Sequence, residues 1–146
     1  MVGGLSIKKE KIPLFKKFLN NYVFNKNYRK IKEFDLKLFL SNINLELLQS
    51  IKTLAPFGAG NPRPKFCISN CFVKFAKLVG TNHVSCFLCD IYGHNIKAIA
   101  FNAYDNKVGE SILNNQGELI KVIGMIGLNE WQGKKDLQIQ IEDVLI

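Results

Sequence analysis

The chain has 146 residues, 47% of them hydrophobic and 22% charged, with 20 Lys+Arg against 12 Asp+Glu and a formal net charge of +8. That length fits one globular domain, or a small domain with an appendage, and the apolar content excludes wholesale disorder. No run approaches the roughly 18 apolar residues of a membrane span, and the N-terminus lacks the basic start and long apolar stretch of a secretory signal, so a cytoplasmic protein with no membrane partner is expected.

Three regions follow in chain order. In the first, Ile12, Phe15, Phe18, Leu19 and Tyr22 recur at helical spacing. They predict a helix over residues 10–22 that buries this face, leaves Lys16, Lys17 and Asn20 in water, and holds Pro13 in its first turn. Residues 31–38 alternate in their second half and predict a strand with no obvious partner nearby, an exposed edge open to docking or aggregation. Asn44 predicts the N-cap of a second helix, with Glu46 in its first turn and Leu45, Leu48, Ile51 and Leu54 along one side.

The second region, 55–64, reads Ala-Pro-Phe-Gly-Ala-Gly-Asn-Pro-Arg-Pro. Three prolines and two glycines exclude regular structure and predict a stiff joint with special backbone angles. The amides around Gly58 and Gly60 also offer an anion-binding nest beside Arg63, the alternative to a purely mechanical joint.

The third region predicts strands at about 66–79, 83–91, 96–101, 119–127 and 135–145, with a helix over 103–113 and turns at 80–82, 92–95 and 129–133. Five short strands with a helix between the third and fourth are the order of an OB-fold, a Greek-key barrel. The fold class expected is therefore α+β: a small α/β N-terminal segment, then a five-stranded OB-fold β-barrel.

Cys67, Cys71, Cys86 and Cys89 are spaced C-x3-C, fourteen residues, C-x2-C, which resembles a zinc ribbon. They lie in apolar strand-like runs without the tight turns of a zinc knuckle, so they read as small core residues. Disulfides are not expected without export to an oxidising compartment.

The segment PFGAGNPRP, with VGTNH in the first barrel loop, AIAFN at the third strand and LNEWQGKKDLQIQIED at the end, resembles the C-terminal part of the RecJ family of bacterial single-strand-specific exonucleases. The opening GLSIKKEKIPLFKKF resembles that family's text just after its Gly-Gly-His motif, although here Gly3-Gly4 is followed by Leu5. The resemblance implies that 1–54 is the end of a DHH-associated domain, 55–64 a linker and 65–146 an OB-fold domain. It implies a 5′-to-3′ exonuclease of DNA repair and recombination, whose divalent metal, Mn or Mg, is held by an Asp-His-His domain lacking here. With His83 and His94 its only histidines, this chain is expected to hold no cofactor and to be inactive alone.

Binding to single-stranded DNA is what the barrel offers. OB-folds take single strands across one face and between the loops after strands one and four. The candidate residues are Arg63, Lys65, Asn82, His83, Trp131, Lys134 and Lys135. Trp131 would stack a base, or else fold back to cap the barrel end. His83 would meet a phosphate or stack, or else end a turn. Phe72, Phe75, Phe87 and Phe101 lie in apolar runs and are assigned to the core. Residues 1–54 carry 11 Lys+Arg against 4 Asp+Glu and residues 55–146 carry 9 against 8, so barrel binding should be weak and salt-sensitive. The alternative function is a protein-interaction or remnant domain that docks on a separate catalytic nuclease chain.

Overall fold

The computed structural model describes residues 5–25, 32–131 and 133–146, the side chains of residues 22–25 and 131 excepted. It forms two compact units, Met1–Lys32 and Glu33–Ile146.

In the first unit a 3-10 turn at Lys9–Lys11 leads into α1, Ile12–Asn25. Pro13 occupies the first turn as expected, where its missing N–H has no helical acceptor to serve. The expected burial does not follow: Ile12, Phe18 (60% exposed) and Leu19 are exposed and Phe15 is half-buried, while the Tyr22 side chain lies outside the described residues. Within this unit α1 is the one long element among the described residues. Sequence periodicity reports that a face is apolar, not how deeply it is buried.

The second unit starts with β1, Leu36–Leu38, which pairs in parallel with the start of β2, Phe66–Val79, from Leu36↔Phe66 to Leu38↔Ile68. The strand expected to lack a partner therefore has one about thirty residues away. Asp35 secures it: its N–H donates to the Lys65 carbonyl at 2.8 Å, and its carboxylate accepts the Lys65 N–H at 2.8 Å. α2, Leu45–Thr53, begins as expected, with the Asn44 Oδ1 accepting from the Leu47 N–H at 2.8 Å. Only Leu48 and Ile51 of its apolar side are buried; Leu45 and Leu54, at its ends, are exposed.

The Pro/Gly-rich segment is an ordered turn. Gly58 and Asn61 exchange backbone hydrogen bonds of 2.9 and 3.2 Å, and the Asn61 side-chain amide donates to the carbonyls of Leu54 and Pro56. Neither glycine adopts a left-handed φ; the departure from ordinary backbone is the cis Ala55–Pro56 peptide. Because the Gly58 N–H bonds to Asn61, the anion nest expected there lacks that donor.

The remaining elements are β3 (His83–Cys89), β4 (Asn95–Ala100), α3 (Lys107–Asn114), β5 (Leu119–Trp131) and β6 (Lys134–Leu145). They close in the order β2-β3-β4-β6-β5-β2, antiparallel except for β4 with β6, and β1 extends β2. This is the OB-fold barrel read from the strand order. Its hairpin between β5 and β6 is tighter than 129–133: Asn129 pairs with Asp136 and Trp131 with Lys134, and Gly133 turns at φ 77°. Ile68, Val73, Val84, Leu88, Ile120 and Ile139 fill the interior, and Ile112 of α3 enters it from one end. Each contributes about 1.5–3 kcal/mol relative to exposure. The four cysteines are free and buried, and burial pushes the Cys71 and Cys86 thiols up to about 12, so they serve as small apolar side chains.

The turn after β3 is organised by Asp90. Its Oδ1 accepts the N–H groups of Tyr92 (2.9 Å) and His94 (3.0 Å), and its Oδ2 lies 2.9 Å from the His94 Nδ1. Burial pushes this carboxyl up, but the bonds from the His94 ring and the two backbone amides together hold it below its ordinary value. A carboxylate depressed in the folded state stabilises above its unfolded pKa, about 3.9, and that contribution is lost as pH falls through the folded value. Asp90→Asn is therefore expected to flatten the acid limb of a Tm-against-pH profile while lowering Tm at neutral pH. Superimposable acid limbs for the two proteins would refute this.

Candidate nucleic-acid interface

Strand register places one outward residue from each barrel strand in a row. Phe75 on β2 pairs with Phe87 on β3, Phe87 with Lys97 on β4, Lys97 with Gln138 on β6, and Gln138 with Gly127 on β5. A second row runs Lys77, Ser85, Ile99, Gln140, Met125. Both face outward because their strand neighbours Val84, Cys86, Leu88, Ala98 and Ile139 are buried, and side chains alternate along a strand.

The core assignment of four phenylalanines is thereby corrected. Phe75 is 52% exposed and Phe101 48%, while Phe72 and Phe87 are half-buried. The signal was present in β3, where Val84, Cys86 and Leu88 take the inward phase and leave His83, Ser85 and Phe87 outside. In β2 it was hidden by the register shift between Val73 and Phe75, which adds Lys74 to the outer surface and breaks the alternation. No Asp or Glu occurs from residue 47 to residue 89, so β2 and β3 bring no acid to this face. The carboxylate nearest the first row, Asp136, accepts from Lys97 Nζ at 2.8 Å, which holds it below the usual carboxylate range.

The expected site residues divide into those that gather and those that do not. The His83 Nδ1 accepts the Asn102 N–H at 3.0 Å, and its ring meets Phe101 edge-on at 5.2 Å. The Asn82 carbonyl accepts the N–H groups of Ala103 and Tyr104. Both residues thus pin the β2–β3 loop to the segment after β4. Arg63 stacks over the Phe57 ring at 5.7 Å. Phe101 shares a groove with Phe57, Arg63 and Asn129 of β5, so the ring under Arg63 and the ring against His83 line one groove.

Lys65 and Lys135 are instead tied to carboxylates, Lys65 to Glu142 and Lys135 to Glu130 at 3.4 Å. Exposed pairs of this kind add at most about 1 kcal/mol, yet each must open before its lysine meets a phosphate. Lys134 has no ion pair among the described residues, and the Trp131 side chain lies outside them.

The groove that sequence reasoning missed has a volume of about 430 Å³ and lies between α2, the Pro/Gly-rich turn and the outer face of β5 and β6. Charge also divides more sharply than expected. Residues 1–32 hold 9 Lys+Arg against 1 Asp+Glu, and residues 33–146 hold 11 against 11, so the barrel unit is neutral overall and its cations act locally. Among the described residues no group of three or more His, Cys, Asp or Glu is placed to hold a metal ion, so the donor set does not fit a nuclease metal centre. No helix among them is long and apolar enough to cross a membrane.

The family model described as RecJ OB domain matches residues 34–143. The chain is 26% identical over 152 residues to the single-stranded-DNA-specific exonuclease RecJ of Bacillus subtilis (strain 168), covering all of this chain and 19% of that protein. Two crystal structures of RecJ from Thermus thermophilus share its fold. The one in complex with Mn2+ has a TM-score of 0.66 at 19% identity, covering 98% of this chain and 20% of that one. The one in complex with Mg2+ has a TM-score of 0.59 at 20% identity, covering 95% and 21%. The chain spans about a fifth of the length of these relatives.

Proposed function

Because the chain belongs to the RecJ OB domain family, we propose that it is the single-strand-binding portion of a RecJ-like, 5′-to-3′ single-strand-specific exonuclease of DNA repair and recombination. Catalysis is supplied by residues outside this chain, and the location is cytoplasmic. The resemblance in sequence puts the end of a DHH-associated domain at 1–54. The compact unit from Glu33 and the family match from residue 34 support reading at least 1–32 as outside the OB-fold domain.

The observation that carries the reading is the outward row Phe75, Phe87, Lys97 and Gln138 across the barrel. Two adjacent aromatic faces accept successive bases with little sequence preference, and Lys97 beside them meets the backbone after releasing Asp136. Duplex is disfavoured because its bases are already stacked. In this reading Arg63, Lys134 and Trp131 extend the track, while Asn82 and His83 shape the loop beside it. Lys65 and Lys135 contribute after releasing Glu142 and Glu130.

The test is an anisotropy titration of labelled oligo-dT and of duplex of equal length. Phe75→Ala combined with Phe87→Ala is expected to weaken oligo-dT binding by about 30-fold or more, from roughly 1–3 kcal/mol for each of two stacked bases. Added salt is expected to weaken the wild type. Equal affinity for duplex, or no effect of the double variant, would refute the reading and turn attention to a docking module.

A further inference from the structure

We infer that the groove between α2, the Pro/Gly-rich turn and the outer face of β5 and β6 is a nucleotide pocket that seats one base of the bound strand together with its phosphate. This rests on the single-strand reading above and deepens it.

The lining is specific in what it contains and in what it omits. Lys52 of α2 and Arg63 of the Pro/Gly-rich segment supply two cations, and no carboxylate lines the groove. Phe57 and Phe101 supply two rings. Phe57 already carries the Arg63 guanidinium on one side, and Phe101 remains 48% exposed with His83 against it. Gln138 and Gln140 lie two apart on β6, so they project from the same face, and both are half-buried. Neither amide has a hydrogen-bond partner among the described residues, and Asn129 beside them has none either. Each amide offers two donors and an acceptor, the complement of a base edge.

The requirements converge on one chemistry. Free phosphate would use Lys52 and Arg63 and leave the rings and amides idle. An apolar ligand would strand the amides. A nucleotide presents a π face, a hydrogen-bonding edge and a negative charge together, and about 430 Å³ is within the usual range for a small-molecule site. Gln138 belongs both to the groove and to the row of Phe87 and Lys97, so a strand lying on that row reaches the groove without a gap.

Gly127 provides the means of closing it. It lines the groove opposite Gln138 in the register, and a Cβ built on it meets no atom within 4 Å. Its φ is not left-handed, so a β-branched residue fits the strand and fills the groove. Gln138→Leu, similar in size, removes the amide without filling the space and serves where the first variant fails to fold.

The experiment titrates the full chain with dTMP, followed by ligand-observed NMR, beside thymidine and inorganic phosphate, and with labelled oligo-dT. Saturable dTMP binding is expected, tighter than either half alone. Gly127→Val is expected to abolish it, and Gln138→Leu to weaken it by about tenfold, the scale of one or two lost hydrogen bonds to a base. Both variants are expected to retain oligo-dT binding, weakened by about three- to tenfold. If oligo-dT binds and dTMP does not saturate, or saturates equally in Gly127→Val, the pocket is overturned and the strand reading stands. If dTMP binds with these losses and oligo-dT does not, the pocket stands and the strand reading falls. Binding of neither overturns both.

Discussion

Alanine at position 109 is expected to destabilise the barrel unit by about 3 kcal/mol, although alanine is the better helix former by about 1 kcal/mol. Gly109 is buried in the first turn of α3, and a Cβ there would stand 1.9 Å from the Ala103 carbonyl oxygen and 2.6 Å from its carbon. Those are backbone atoms, and they have little room to retreat. Ala103 and Tyr104 both donate to the Asn82 carbonyl, and the Asn106 side chain caps α3 by accepting from Val108 and Gly109. Relief of the clash therefore means lifting α3 from the barrel end it closes with Ile112, or breaking the loop contacts beside His83. Urea unfolding of Gly109→Ala checks this. An unchanged or higher midpoint would show that α3 stands farther from residue 103 than this structure places it.

The second large effect is expected at Ile139, fully buried at 0% exposure on β6. β6 is the strand that joins β4 to β5, and Ile139 pairs with Ala98 on one side and Ile126 on the other. Truncation to alanine removes three carbons from the closed interior and leaves a void that strands held on both edges cannot collapse to fill. A loss of about 2–5 kcal/mol is expected. It is read as a lower urea midpoint at unchanged m-value, with Ile146→Ala, at an exposed terminus, as the control that does not move. A loss below about 1 kcal/mol would mean that the barrel repacks around the gap.

The barrel elements were legible because each is specified within a few residues. Alternation marks β3 and β6, glycines at 80, 93, 117 and 133 mark turns that they enter with positive φ, and Asn44 announces the helix it does cap, whereas the helix expected over 103–113 begins only at Lys107, after an Asn106 cap. The site was less legible. The His83 role depends on an Asn102 N–H nineteen residues away, and the groove assembles α2, a turn and two strands that no local pattern connects. The ion pairs that occupy Lys65 and Lys135 likewise depend on where the fold brings Glu142 and Glu130.

The sequence by itself determined the strand order, the helix between the third and fourth barrel strands, the Asn44 cap and the resemblance to the RecJ family, all properties of spacing along the chain. Only the tertiary structure decided that β1 pairs with β2, that Phe75 faces outward, and that two glycines three residues apart differ in kind. A Cβ at Gly124 would stand 2.3 Å from the Gln140 carbonyl, whereas at Gly127 it meets open space. The physical reason is common to all three: each is set by what lies across a non-local contact, and a register shift or a neighbouring carbonyl leaves no periodic trace in the residues themselves.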